Sequence, residues 1–145
     1  MKVFLDTSVL VPALLEDHEF HERAFGVLDR VQGGKDEGVI AAHSLAESYA
    51  VLTRLPGQFR HTPEQALLSI EENILKFFTV TTLSAADYTT TLRDAAAGRI
   101  EGGTIYDALL LKSARKGNVQ RIFTFNLKHF QAIAPAEIAA LLTVP

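Results

Sequence analysis

The sequence predicts a single α/β domain over residues 1–145, a parallel sheet flanked by helices. Three observations carry that expectation. Short apolar runs alternate with longer stretches of helical periodicity, the order expected of successive βα units. Each short run is apolar on both faces, which suits strands covered on both sides as in parallel sheets. The length of 145 residues corresponds to about one domain, and no repeat, low-complexity tract or linker divides it.

The elements follow in order. Lys2-Val3-Phe4-Leu5 reads as a buried strand ended by Asp6. Thr7 or Ser8 then caps a helix through Val9, Leu10, Ala13 and Leu14, in which Pro12 is tolerated only in the first turn. Residues 18–31 carry Phe20, Ala24, Val27, Leu28 and Val31 at helical spacing. Gly33-Gly34 and Gly38 bracket a charged turn, residues 38–41 form a strand, and residues 42–55 form a helix stopped by Pro56-Gly57. Thr62-Pro63-Glu64-Gln65 starts a helix to about residue 75, with proline where its missing N–H has no partner to lose. Residues 77–80 are a strand of aromatic and β-branched residues. Residues 84–97 are a helix, 98–103 a turn and 104–116 another helix, closed by Gly117-Asn118. Residues 121–124 are the last clear strand, and Pro135 opens a final helix through Leu142.

Composition narrows the chemistry. Hydrophobic residues make up 48% and charged residues 21%, a globular balance rather than a disordered one. There is no cysteine, which removes disulfides, zinc ribbons, thiol nucleophiles and CxxC redox chemistry, and is compatible with a reducing cytoplasm. The apolar start, MKVFLDTSVLVP, is interrupted by a carboxylate and lacks a small-residue cleavage site, so no signal peptide is expected. No stretch approaches the ~20 apolar residues of a membrane span. The net charge of −3 argues against gripping nucleic acid by bulk charge alone. The charge is uneven, however: residues 1–50 hold nine acids against four bases, residues 51–107 seven against five, and residues 108–145 one against five. The last quarter is a basic segment on an acidic protein.

Most of the 17 acids lie in polar clusters, but three do not. Asp6 directly follows the first strand, at the strand end where open α/β sheets bind ligands. Glu47 lies in a segment of mostly apolar or small residues, 41–52, and is expected to be buried. Asp107, at about 100° per residue, shares a helix face with Leu110, Leu111 and Ala114. Each has a plainer reading: Asp6 as a cap through the Ser8 N–H, Asp107 as a favourable charge in a first helical turn, Glu47 as a buried pair with Arg54 two turns on. Burying unpaired carboxylates costs several kcal/mol each. One hard divalent cation, Mg²⁺ or Mn²⁺, satisfies all three at once through carboxylate oxygens and water.

Weaker signals surround these. His18 and His21, spaced i, i+3, read as a surface pair; His43 stands one turn before Glu47; Gly102-Gly103 precedes a helix start. Lys112, Arg115 and Lys116 form a helical stripe that reads as a solvated face unless it borders the acids.

Four ordered pieces then carry a resemblance: Phe4-Leu5-Asp6-Thr7-Ser8-Val9-Leu10; Ser44-Leu45-Ala46-Glu47 continuing to Leu52-Thr53-Arg54-Leu55-Pro56; Tyr106-Asp107-Ala108-Leu109-Leu110; and Phe123-Thr124-Phe125-Asn126-Leu127-Lys128-His129-Phe130. Over essentially the whole chain the sequence resembles the PIN-domain nucleases, above all the VapC-type toxins of bacterial toxin–antitoxin pairs. The resemblance implies an α/β/α sandwich with a short, mostly parallel central sheet and a metal-dependent endoribonuclease site at the strand ends. Asp6, Glu47 and Asp107 match the family's acidic positions, and the fourth falls at Asn126, which offers a carbonyl oxygen but no charge. Ser8 and Thr124 match small hydroxyl positions that orient ligands or water. A cognate antitoxin, a homodimer and an RNA substrate are the implied partners, with Mg²⁺ or Mn²⁺ as cofactor and the cytoplasm as location.

On this reading Asp6 and Asp107 hold the main ion, Glu47 binds it through water or helps activate the attacking water, and Asn126 completes the shell or touches substrate. An acidic pocket repels RNA, so a basic rim is needed, and the segment after Asp107 is its expected supplier. With aromatics at 8%, recognition by shape and phosphate contacts is expected ahead of a stacking groove. Two other readings compete. An aspartyl-phosphate phosphatase needs a second Asp two residues after the first, where Ser8 stands. A non-catalytic PIN-like module binding RNA or a partner is kept open by Asn126 and opposed by the three acids.

Overall fold

The computed structural model describes residues 1–145. Its centre is a five-stranded, all-parallel sheet in the order β3-β2-β1-β4-β5. The strands are β1 (Lys2–Leu5), β2 (Glu37–Ala41), β3 (Phe78–Thr81), β4 (Arg121–Phe123) and β5 (Leu142–Thr143). Eight helices surround them: α1 (Thr7–Leu14), α2 (His21–Gln32), α3 (Ala42–Arg54), α4 (Pro63–Ile70), α5 (Ala85–Ala97), α6 (Thr104–Lys116), α7 (Leu127–Ile133) and α8 (Ala136–Ala139).

Alternation along β1 builds the layers. Successive strand side chains point to opposite faces. Val3 and Leu5 enter one core with Val9 and Leu10 of α1, Ala24, Val27 and Leu28 of α2, and Phe78. Phe4 enters the other with Val39, Leu110, Leu111 and Ala114 of α6, Phe130 of α7 and Ile138 of α8. Both faces of the sheet are therefore covered by helices, and the expected α/β/α sandwich is what forms. A third, small cluster of Leu52, Ala66 and Ile70 joins α3 to α4.

Local signals in the sequence act as expected at several ends. Thr62 and Ser84 both make reciprocal capping boxes, with Gln65 and Asp87 respectively, so two orphan N–H groups are satisfied at each helix start. Gly38 is needed for close packing rather than for a turn: a Cβ there would stand 2.5 Å from the Phe78 ring and 2.6 Å from Val31 Cγ1.

Other expectations need correction. The second helix begins at His21, not at residue 18, and the third strand begins at Phe78. Pro12 lies in the body of α1 rather than in its first turn. It removes the N–H that would reach the Ser8 carbonyl, a tolerable loss because the helix ends two residues later. The helix begun at Pro63 changes after Ile70 into a wider, π-type turn over Glu71–Leu75. The largest departure is at the end of the chain. The expected helix over 135–142 stops at Ala139, Leu142–Thr143 pair with β4 as a fifth strand, and α7 forms over residues where the sequence predicts no element.

Gly38→Ala is expected to lower stability by about 1–3 kcal/mol, the usual effect of overpacking a filled core. Chemical denaturation measures it; an unchanged midpoint would mean that the Phe78 ring moves aside freely.

Candidate active site

The strand order places a topological switch beside β1. The chain leaves β1 to build β2 and β3 on one side and later returns to build β4 and β5 on the other. Open α/β sheets leave a crevice at the carboxyl ends of the strands flanking such a switch. Asp6 is the first residue beyond β1, and Thr124 the first beyond β4.

Asp6 is 3% exposed. Its backbone stands at the N-cap position of α1, yet its carboxylate makes no capping hydrogen bond. Instead Oδ2 accepts from the Ser8 hydroxyl at 2.7 Å and from the Thr124 hydroxyl at 2.9 Å. Each hydroxyl in turn accepts a backbone N–H from the segment leading into α7: Phe125 N–H reaches Ser8 Oγ and Asn126 N–H reaches Thr124 Oγ1, both at 3.0 Å. The two hydroxyls therefore pass donor character from the β4–α7 connection to the carboxylate. Ser8 and Thr124 orient the acid itself, and the Asp6 main chain is fixed by its N–H bond to the Phe123 carbonyl at 3.0 Å.

Asp107 comes from the first turn of α6 and is partly buried. Burial raises its pKa first, the Asp6 charge raises it further, nearby His129 lowers it, and Glu47 adds a smaller upward push. Burial likewise pushes Asp6 above the ordinary carboxylate value, against the Ser8 and Thr124 hydroxyls that favour the anion. The three acids expected from the sequence thus share one electrostatic neighbourhood. No Lys or Arg forms an ion pair with any of them.

Glu47 departs from its expectation. It is not buried: its side chain is 40% exposed. The outward face of α3 carries His43, Ala46, Tyr49 and Ala50 in solvent, so a helix rich in small residues is not a helix enclosed on all sides. Nor does it pair with Arg54, which is exposed at the end of α3. Thr7 Oγ1 shares its single proton between Ser44 Oγ at 2.9 Å and Glu47 Oε1 at 3.1 Å, and His43 Nε2 lies 3.6 Å from the same carboxylate oxygen. Asn126 is exposed at the start of α7 and its amide caps nothing.

The basic stripe also lies elsewhere than expected. Arg115 is eight residues beyond Asp107, about 12 Å along the helix at ~1.5 Å per residue. Lys116 is bound to Asp87 at 2.7 Å, and Lys112 and Arg115 line a separate cavity of about 440 Å³ between α5, α6 and the α7–α8 connection. From the segment after Asp107, it is His129 that bears on the site. In the sequence Thr7 reads only as a helix cap and His129 only as part of a motif; both reach the site through elements that only the fold brings together.

The donor set suits a hard divalent cation in kind: carboxylate oxygens, one of them buried without a basic partner, beside a second acid whose charge it opposes. No three His, Asp or Glu side chains converge tightly enough to enclose one ion together. Mg²⁺ does not require such a trio, since it keeps several waters and commonly takes one or two carboxylates. Asp6 with Asp107 is the pair that fits.

A stability consequence follows for the metal-free protein. An acid whose pKa is raised on folding opposes folding in its ionised form, so stability falls as pH rises from its unfolded value through its raised folded value. Asp6→Asn and Asp107→Asn should therefore each raise the melting temperature of the metal-free protein at pH 7. Their advantage over wild type should shrink as pH falls below about 4. Calorimetry in chelator across that range measures it; variants that melt lower than wild type at pH 7 would refute the account in which burial opposes these charges.

Sequence and structure comparisons agree on the class. A PIN domain model matches residues 3–134. Ribonuclease VapC27 of Mycobacterium tuberculosis is 34% identical over 110 residues, covering 76% of this chain and 74% of its own length. Ribonuclease VapC40 of the same species is 35% identical over 106 residues, 72% of each chain. Among solved structures, VapBC2 from Rickettsia felis bound to promoter DNA has a TM-score of 0.67 at 18% identity, over 100% of this chain and 99% of that one. The sarcin-ricin loop cleaving toxin VapC20 of M. tuberculosis has the same TM-score and identity, over 90% and 94%. At 18% identity these structures speak for the fold alone. The domain match and the ribonuclease relatives carry the rest: the chain belongs to the PIN domain family.

Proposed function

We propose that the protein is a metal-dependent endoribonuclease that hydrolyses RNA phosphodiester bonds and acts as the toxin of a type II toxin–antitoxin system. The observation that carries the proposal is the buried Asp6 carboxylate at the switch point of the sheet, held by the Ser8 and Thr124 hydroxyls, within reach of the Asp107 charge and with no Lys or Arg paired to either acid. The VapC ribonuclease relatives support the same activity. A non-catalytic binding module is not favoured, because such a module has no use for a pair of acids that oppose each other's ionisation.

In this reading Asp6 and Asp107 hold Mg²⁺ or Mn²⁺. When bound, the ion lowers the pKa of a coordinated water and offsets charge on the phosphoryl oxygens. Asp6 supplies an anionic oxygen whose direction is fixed by Ser8 and Thr124. Glu47, half in solvent and steadied by Thr7, would hold a water or take its proton. Asn126 presents a neutral carbonyl oxygen at the rim, so the site carries three charges where four are expected of the family pattern.

An antitoxin and a second copy of the chain are the proposed protein partners. Leu67 and Leu68 of α4, with Phe59, Leu75 and Phe77 nearby in sequence, are exposed apolar side chains suited to such contacts. No helix is long and apolar enough to cross a membrane. A cytoplasmic location is proposed, in keeping with the absence of cysteine.

Purified protein, free of other chains, should cut total cellular RNA into discrete fragments with Mg²⁺ or Mn²⁺ and not with chelator. Asp6→Asn and Asp107→Asn should each reduce cleavage at least about 100-fold, the loss expected when several kcal/mol of charge stabilisation goes. Metal binding by wild type without cleavage of any RNA would move the assignment to the binding module. Cleavage that survives in both variants would put the site elsewhere.

Ser8→Ala and Thr124→Val test the support of Asp6. Each should weaken metal affinity about 10- to 100-fold, the usual effect of losing a group that orients a ligand. The metal-induced rise in melting temperature reads that affinity directly.

A further inference from the structure

We infer that the cavity between α3, the end of β3, α5 and α6 is a nucleobase subsite for a nucleotide flanking the cleaved phosphate; this rests on the nuclease reading above. The cavity holds about 110 Å³ and is lined by His43, Tyr88, Tyr106, Leu83, Leu109 and the hydroxyl residues Thr81 and Ser113, among others. Drug-sized ligands need roughly 300–1,000 Å³, so this space takes a single planar ring system.

Its lining decides which kind. The chain has three tyrosines and no tryptophan, and two of the three tyrosines are here. Tyr106 and Tyr88 are 58% and 45% exposed, large aromatic faces kept at the rim in water rather than used in the core. Tyr106 stands parallel to the His43 ring, at 10° between planes and 6.2 Å between centroids. No Lys, Arg, Asp or Glu lines the cavity, so it holds no fixed charge for a phosphate or a free cation. Flat π faces with a few hydroxyls at the edge match a heterocyclic base, which stacks whatever its sequence identity.

Continuity with the acids supplies the second argument. Tyr106 immediately precedes Asp107. His43 precedes Glu47 by one turn of α3, about 6 Å along the axis, and its ring nitrogen lies 3.6 Å from the Glu47 carboxylate. A base seated against Tyr106 therefore leaves its sugar-phosphate beside the carboxylates.

The test separates this subsite from the nuclease activity. The intact metal-free protein is titrated with each of the four ribonucleosides, which carry no phosphate, while tyrosine ring proton resonances are followed by NMR. Saturable shifts of Tyr88 and Tyr106 rings, with Tyr49 unmoved, are expected for at least one nucleoside. Tyr106→Leu and Tyr88→Leu, which keep apolar bulk, should weaken that binding roughly 5- to 150-fold, the range for losing one stacking face. Tyr49→Phe should not change it. In RNA cleavage the same Leu variants should raise KM more than they lower kcat and alter the base preferred next to the cut. The metal-induced stabilisation should stay as in wild type. No saturable shift with any nucleoside, or shifts unchanged in both Leu variants, would overturn the subsite even if RNA is cleaved. Nucleoside binding by a wild type that cleaves nothing would uphold the subsite and remove the nuclease.

Discussion

A single carboxylate at the end of the central strand is the constraint around which the rest of the molecule is arranged. Asp6 is nearly inaccessible, and leaving it there as an anion requires fixed donors aimed at it. The protein supplies them from two directions, Ser8 from α1 and Thr124 from β4, and each hydroxyl is itself held by a backbone N–H. One residue thus ties β1, α1, β4 and the start of α7. The donors are neutral, so they direct the charge without cancelling it. A guanidinium in their place would satisfy Asp6 and leave nothing for a cation to do.

Layering and chemistry are coupled through this point. The crevice exists because β2 and β4 grow on opposite sides of β1, and the two covering layers then deliver Glu47 on α3 and Asp107 on α6 to the same strand end. Folding brings together acids that disfavour one another's charge, and the resulting tension is offset by the two large apolar cores on either face of the sheet. Stability is given up locally where binding is required, a trade common at functional sites.

How much of this was legible in the sequence depended on whether the cause was local. The strand 2–5 and the helix 104–116 were read closely because their periodicity and their stop signals lie within the segment itself. Asp6 and Asp107 stood out because each breaks an apolar pattern. The small residues around Glu47 predict enclosure, but Ala46 and Ala50 face water, and small size alone does not say which way a helix is turned. β5 was invisible for another reason. A pair of residues following Ala140-Leu141 looks helical in isolation, and its strand geometry comes from β4, which it meets in register as Ile122 with Leu142 and Phe123 with Thr143. α7 has one fully buried residue, Phe130, too little for a periodic signal. The roles of His129, Thr7 and the Tyr88–Tyr106 cavity rest on tertiary proximity, which spacing along the chain does not encode.

That two-residue edge strand has a reach beyond its size. The Thr143 carbonyl accepts the Thr124 N–H at 3.0 Å, so the residue whose hydroxyl grips Asp6 hangs, by its own backbone, from β5. Two residues on, the Pro145 carbonyl is clasped by the Arg23 side chain of α2 at 2.9 and 3.1 Å. Residues 142–145 therefore link the helical layer, across the sheet edge, to the crevice at Asp6. Loosening residues 142–145 would be felt at Asp6, although none of them touches its carboxylate.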